Sequence, residues 1–132
     1  EDKRQAAYWY RKAADQENLG ALYNLGNLYF HGEGVSKDKL KGIGLAEKAA
    51  IKGHVSALAF LGAVYVKGSA PGGRDAVKAW MYLDMAYRLG DKELAVVLGI
   101  LEPKMRPEEI ERAKRQQAQW LKETGLSVPP RK

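Results

Sequence analysis

The chain repeats itself, and the period constrains its fold more than any other feature. "ALYNLGNLYFHG" (Ala21–Gly32) aligns with "ALAFLGAVYVKG" (Ala57–Gly68) at an offset of 36 residues. The matches are Ala21/Ala57, Leu22/Leu58, Leu25/Leu61, Gly26/Gly62, Tyr29/Tyr65 and Gly32/Gly68. A third copy opens in "LAVVLG", where Leu98-Gly99 follow Leu61-Gly62 by 37 residues. Between these copies Asp2, Asp38 and Asp75 open a second series, with Ala6/Gly42/Ala79 and Ala13/Ala49/Ala86 in register. The one-residue slip falls in "GSAPGGRD", where a loop absorbs it. Repeats of this length are single supersecondary units that bury their apolar faces only against their neighbours.

Each copy reads as two helices. Ala21, Leu22, Leu25, Leu28 and Tyr29 recur at helical spacing and form one apolar face. Gly26, Gly62 and Gly99 stand inside such helices, where glycine costs ~1 kcal/mol against alanine; a repeated cost implies a repeated close approach of the partner helix. Asp38 and Asp75 are placed to cap helices, and Asp2 shares their column. The spacing predicts helices over 2–15, 19–31, 38–52, 55–68, 75–89, 91–102 and 107–124. The last has Pro107 at its first position and a stripe of Ile110, Ala113, Gln117, Trp120 and Leu121 that can cover the final repeat. The expected organisation is all-α: repeats of paired antiparallel helices over 1–103, a C-terminal capping helix over 104–124 and a flexible tail over 125–132.

Composition removes several function classes. The chain has no cysteine, which excludes disulfides, thiolate zinc sites and thiol nucleophiles. No apolar run approaches the ~18 residues of a membrane span, "LAVVLGIL" (Leu94–Leu101) being the longest. Net charge is +6, with eight Lys/Arg against four Asp/Glu in 104–132 and near balance elsewhere. That excess reads as a solvated helix rather than a nucleic-acid surface, since Trp120 is its one aromatic. The first residue is Glu1 rather than methionine, so the chain reads as a fragment or a mature product.

The run "AAYWYRKAADQENLGALYNLGNLYFHGEGVSKD" closely resembles the Sel-one-like repeat, a relative of the tetratricopeptide repeat. The hallmark residues are Ala21, Tyr23-Asn24-Leu25-Gly26, Tyr29, Gly32-Glu33-Gly34-Val35 and Asp38, with Trp9, Tyr10, Ala13 and Ala14 from the closing element. There are departures. Glu17 replaces a glycine that Gly53 and Gly90 keep, the loop "GSAPGG" lacks the valine, and Arg106 stands where a capping Ser or Thr is expected. The resemblance implies a right-handed α-solenoid acting as a non-catalytic scaffold, with a protein or peptide bound on its concave face. It leans towards a bacterial periplasmic or cell-envelope setting. The alternative it suggests is an immunity protein that neutralises a secreted toxin of type VI, phospholipase-like kind.

In that family the first helix of each pair lines the concave side. Here this implies a partner-binding row of Tyr23, Asn24, Asn27, Phe30 and His31, then Ala59, Ala63, Val66 and Lys67, then Val96 and Ile100. Tyr23 and Phe30 are the expected anchors, Asn27 a ligand for peptide backbone, and Asn27, His31 and Lys67 the exposed members. Phe60 and Val97 fit this row and packing against neighbouring helices equally well. The expected partner is another protein or peptide segment, with no nucleic acid, no cofactor and a monomer or weak oligomer. A metal-dependent hydrolase built on His31, Glu33 and His54 is the less favoured alternative, because metal ligands are usually spaced more tightly. "HGEG" (His31–Gly34) reads as a helix-ending corner rather than a phosphate loop: a helix precedes it, and Asp38 opens the next one.

Overall fold

The computed structural model describes residues 2–131, so the readings at Glu1 and Lys132 lie outside the described residues. Among these run α1 (Lys3–Ala14), α2 (Leu19–His31), α3 (Lys39–Ala50), α4 (Val55–Lys67), α5 (Ala76–Arg88), α6 (Leu94–Leu101) and α7 (Pro107–Thr124). A short 3-10 turn, Glu102–Lys104, follows α6, and the described residues hold no strand. The all-α expectation holds.

Caps explain where the helices begin. Asp2, Asp38 and Asp75 accept the amides of Arg4, Lys41 and Lys78, each at 3.0 Å. A second column serves the other helices: Asn18 accepts the Ala21 amide at 2.9 Å, and His54 Nδ1 accepts that of Ala57 at 3.2 Å. Asp91 occupies the same column, yet no side chain caps α6, which starts later than the pattern suggests. At α7, Arg106 has no acceptor to offer, but Glu109 Oε1 takes the Arg106 amide at 2.8 Å, half of a capping box.

The chain divides into two compact units within α4, Glu1–Ala57 and Leu58–Lys132. In the first unit α2 packs on α1 and α3. Ala7, Leu25 and Leu28 form its buried cluster, with Tyr10, Tyr29, Val35 and Leu45 against it. The α2–α3 contact is made backbone to backbone. A Cβ on Gly26 would lie 2.8 Å from the Gly42 carbonyl oxygen, and one on Gly42 2.6 Å from that of Gly26. The "HGEG" corner closes α2 with Gly32 at φ 72° and Gly34 at φ 74°, and the Gly34 backbone lies directly against that of Lys3. Glu17 sits at φ 58°, the left-handed conformation that Gly53 takes at its own turn. The turn survives the glycine's replacement at a cost in strain. Glu17→Gly is therefore expected to stabilise the chain by up to about 1 kcal/mol, read as a higher midpoint in urea unfolding.

In the second unit α5 is buried almost all round: Val77 and every residue from Ala79 to Ala86 are inside. The α4 side meets it at Gly62, where a Cβ would touch the Leu83 side chain at 2.5 Å. Leu98 and Leu101 cover it from α6, and Ala113 and Ile110 from α7. The predicted stripe of α7 is thus used, with Trp120 edge-on to Tyr82 at 6.2 Å. Gly99 breaks the pattern. Nothing lies within 4 Å of its Cβ position: α7 packs on α5, and α6 meets α5 through Leu98 and Leu101.

The residues after Gly125 reach α5 through Val128, Pro129 and Arg131. Arg88 donates to the carbonyl oxygens of Pro129 (2.6 Å) and Val128 (3.4 Å), and Arg131 pairs with Asp84 (2.7 Å) and Glu102 (2.8 Å). The physical reason is Asp84: a carboxylate only 2 % exposed requires cationic partners, and the tail supplies one.

Candidate functional site

In the first unit the outward side of α2 borders a cleft of about 330 Å³. Tyr23, Asn24, Asn27 and His31 line it from α2, as the sequence anticipates, with Leu28 at its floor. Lys3, Ala6 and Tyr10 of α1 and Glu33 of the corner complete it; sequence reasoning missed these. Their signal was available, since Tyr10 belongs to the repeat's closing element and the corner returns the chain to the start of α1. Lys3 Nζ and Glu33 Oε2 stand 4.0 Å apart and both remain half exposed. A surface pair of this kind adds little stability and stays available to a ligand.

The polar groups are oriented along the helix. His31 Nδ1 lies 3.1 Å from the Asn27 carbonyl oxygen, which directs Nε2 outward. The Asn27 amide reaches the Tyr23 carbonyl only at 3.5 Å, a weak bond that a ligand can replace. Tyr23 is half-buried, its ring centroid 5.3 Å from that of His54. Burial holds the His54 imidazole below its ordinary range, so Nδ1 is kept as the unprotonated cap of α4.

Phe30, an expected anchor, is 6 % exposed, turned into the core with His31 edge-on to it and Lys39 Nζ 5.4 Å above its ring. Its position at the edge of the helical wheel left both orientations open, and the α2–α3 contact beside Gly42 settled it inward. The metal alternative finds no geometry. His54 spends Nδ1 on its cap, and no group of three His, Asp or Glu among the described residues is disposed to hold an ion.

In the second unit Ala59, Ala63 and Val66 of α4 are half-buried, Val66 packing towards the α5 cluster, and Lys67 is exposed. Val97 packs on that cluster as well, whereas Val96 (68 %) and Ile100 (58 %) of α6 are open to solvent.

Three stretches of the chain, residues 1–18, 20–54 and 55–91, match the model of the Sel1 repeat. The chain belongs to the Sel1 repeat family. Among solved structures it is similar to a protective antigen of uropathogenic Escherichia coli strains that displays an SLR fold, at TM-score 0.81 and 27 % identity over 100 % of this chain. It is also similar to a Sel1 repeat protein from Oxalobacter formigenes, at TM-score 0.65 and 30 % identity over 74 % of this chain. Protein DSF2 of Saccharomyces cerevisiae is 34 % identical over 87 residues, 65 % of this chain. The chain spans 31 % and 40 % of the two solved proteins and 11 % of the yeast one. The α-solenoid class expected from the repeat is that of these Sel1 neighbours. Sel1 repeat proteins are generally protein–protein interaction scaffolds and typically non-catalytic.

Proposed function

We propose that this chain is a non-catalytic binding module whose α1–α2 cleft takes an extended segment of a partner protein, on the side that is concave in a right-handed solenoid. The observation that carries this reading is the cleft's lining: Tyr10, Tyr23, Asn24, Asn27 and His31 border one space of about 330 Å³. Such a set favours a backbone rich in donors and acceptors over an apolar ligand. Tyr23 supplies a ring that is already half fixed against His54, so little side-chain freedom is lost on binding. The rows Ala59, Ala63, Val66, Lys67 and Val96, Ile100 would add contacts from their own unit. Toxin immunity is one narrower case of this binding, with a toxin's active-site rim as the segment held.

The test begins with peptides selected from a displayed library against the unaltered chain. Tyr23→Ala combined with Asn27→Ala should weaken their binding at least tenfold while circular dichroism shows unchanged helicity. Selected peptides that bind the double variant as well as the parent would remove the cleft from the proposal.

A further inference from the structure

The second unit holds a site that the repeat pattern does not explain. Trp80, Asp84 and Arg88 of α5, Glu102 of the 3-10 turn and Gln117 of α7 surround a cleft of about 550 Å³, and Arg131 is seated in it. The Arg131 guanidinium makes a fork. Nε donates to Asp84 Oδ1 at 2.9 Å, while Nη2 stands 2.7 Å from the same oxygen and 2.8 Å from Glu102 Oε2. Its Cζ lies 5.5 Å from the centroid of the Trp80 ring and 5.9 Å from that of Tyr87. Trp80 Nε1 donates to Glu102 Oε2 at 2.7 Å, which fixes the carboxylate and the ring that faces the cation. Burial pushes the Glu102 carboxyl up, but the bonds from Arg131 and Trp80 outweigh it and hold it below its ordinary range.

These are the parts of an arginine receptor: two aromatic faces, two carboxylates at fork spacing and a preset orientation. Arg88 pairs with Asp84, Lys114 at the cleft's edge lies 4.0 Å from Glu111, and Lys92 stands 4.5 Å from the Tyr87 centroid, so Arg131 is the ion-pair partner of Glu102 among the described residues. The segment that brings Arg131 is held by Arg88, Asp84 and Glu102, with Leu126 and Val128 half-buried. Ser127, Pro129 and Pro130 are exposed, residues 125–131 have no regular structure, and the backbone bonds anchoring it come from Arg88.

We propose that the Trp80–Tyr87–Asp84–Glu102 cradle is an arginine-recognition site, occupied in cis by Arg131, which accepts the arginine of an extended peptide on a partner protein when the 126–131 segment lifts away. A cis ligand on a short tether acts at an effective concentration near millimolar, so the segment sets a threshold for the partner. The inference does not rest on the α1–α2 cleft. The Tyr23→Ala, Asn27→Ala double variant should respond here as the parent does, so failure of one reading leaves the other standing.

The probe is acetyl-Ser-Val-Pro-Pro-Arg-amide, and the readout is the NMR resonance of the Trp80 indole N–H, which reports directly on Glu102. In the Arg131→Ala chain the peptide should shift this resonance saturably. The unaltered chain should need at least tenfold more peptide, and the citrulline analogue should be silent. Equal responses from variant and parent, an equal response to citrulline, or no response from the variant would each reduce Arg131 to a structural clamp and overturn the proposal. Should Arg131→Ala lose its fold, Arg131→Lys keeps a charge without the fork. The arginine peptide must then displace Lys at a lower concentration than it needs against the parent, and failure to do so also overturns the proposal.

Discussion

Gly42→Ala is expected to destabilise the chain by about 2 kcal/mol, a fall in melting temperature of roughly 8 °C, although alanine favours a helix over glycine by ~1 kcal/mol. The reason is local. The new Cβ would lie 2.6 Å from the Gly26 carbonyl oxygen and 2.8 Å from the Phe30 amide nitrogen. Neither is the far end of a flexible side chain. To make room α2 and α3 must separate, which opens the packing around Ala46 and Ala49, both 0 % exposed. Gly26→Ala should behave alike, since its Cβ would meet the Gly42 carbonyl oxygen at 2.8 Å. Gly99→Ala is the control with the opposite sign. It stands in a helix with open space around it and should stabilise by about 0.5–1 kcal/mol. Thermal unfolding of the three variants decides the matter: a gain at Gly42 and Gly26 equal to that at Gly99 would show that helix propensity, not contact, governs all three.

That contrast marks how far the sequence can be read. Gly26, Gly62 and Gly99 occupy one column of the repeat, and the period alone predicts the same close approach for each. Two make it. The third does not, because a repeat records what each unit is built to meet and not whether the meeting partner is present. The helices and the Asp2, Asp38 and Asp75 caps are local properties, so spacing reveals them. Phe30 was ambiguous because its place at the edge of the helical wheel does not fix a rotamer; only the neighbouring helix does. The α1–α2 cleft was legible by half. Tyr23, Asn24, Asn27 and His31 lie on one face of one helix, whereas Lys3 and Glu33 join them through a turn whose path depends on Gly34 meeting the Lys3 backbone. The arginine cradle went unseen, although "WMYLDMAY" carried a hint: one carboxylate in a helix otherwise apolar must find cations somewhere. Sequence shows that such a residue needs a partner without showing that the partner lies 47 positions away.

Asp84→Ala should be the most damaging substitution in the second unit, costing about 3–5 kcal/mol. Asp84 is the common acceptor of its surroundings. Arg88 Nη1 reaches Oδ2 at 3.1 Å, Gln117 Nε2 reaches the same oxygen at 3.0 Å, and Arg131 holds Oδ1. Alanine would leave Arg88 as an uncompensated, largely buried cation and deprive the 5 % exposed Gln117 amide of one of its two acceptors, the other being the Met81 carbonyl oxygen at 3.1 Å. It would also take one of the two carboxylates from Arg131, leaving the 126–131 segment held by Glu102 and Arg88. The loss measures the groups left behind and not the worth of the ion pairs, because two charges taken from water already carry a large desolvation cost. A concerted change tests that distinction. Asp84→Leu, Arg88→Met and Gln117→Leu together remove the network and fill its volume with apolar atoms, so most of the stability lost in Asp84→Ala should return, even though Arg131 keeps only Glu102 as its carboxylate in both. Urea unfolding of the two variants provides the comparison. If the triple variant is as unstable as Asp84→Ala, the pairs themselves, and the segment they fasten, contribute net stability to this unit, and the cradle is a fastening before it is a receptor.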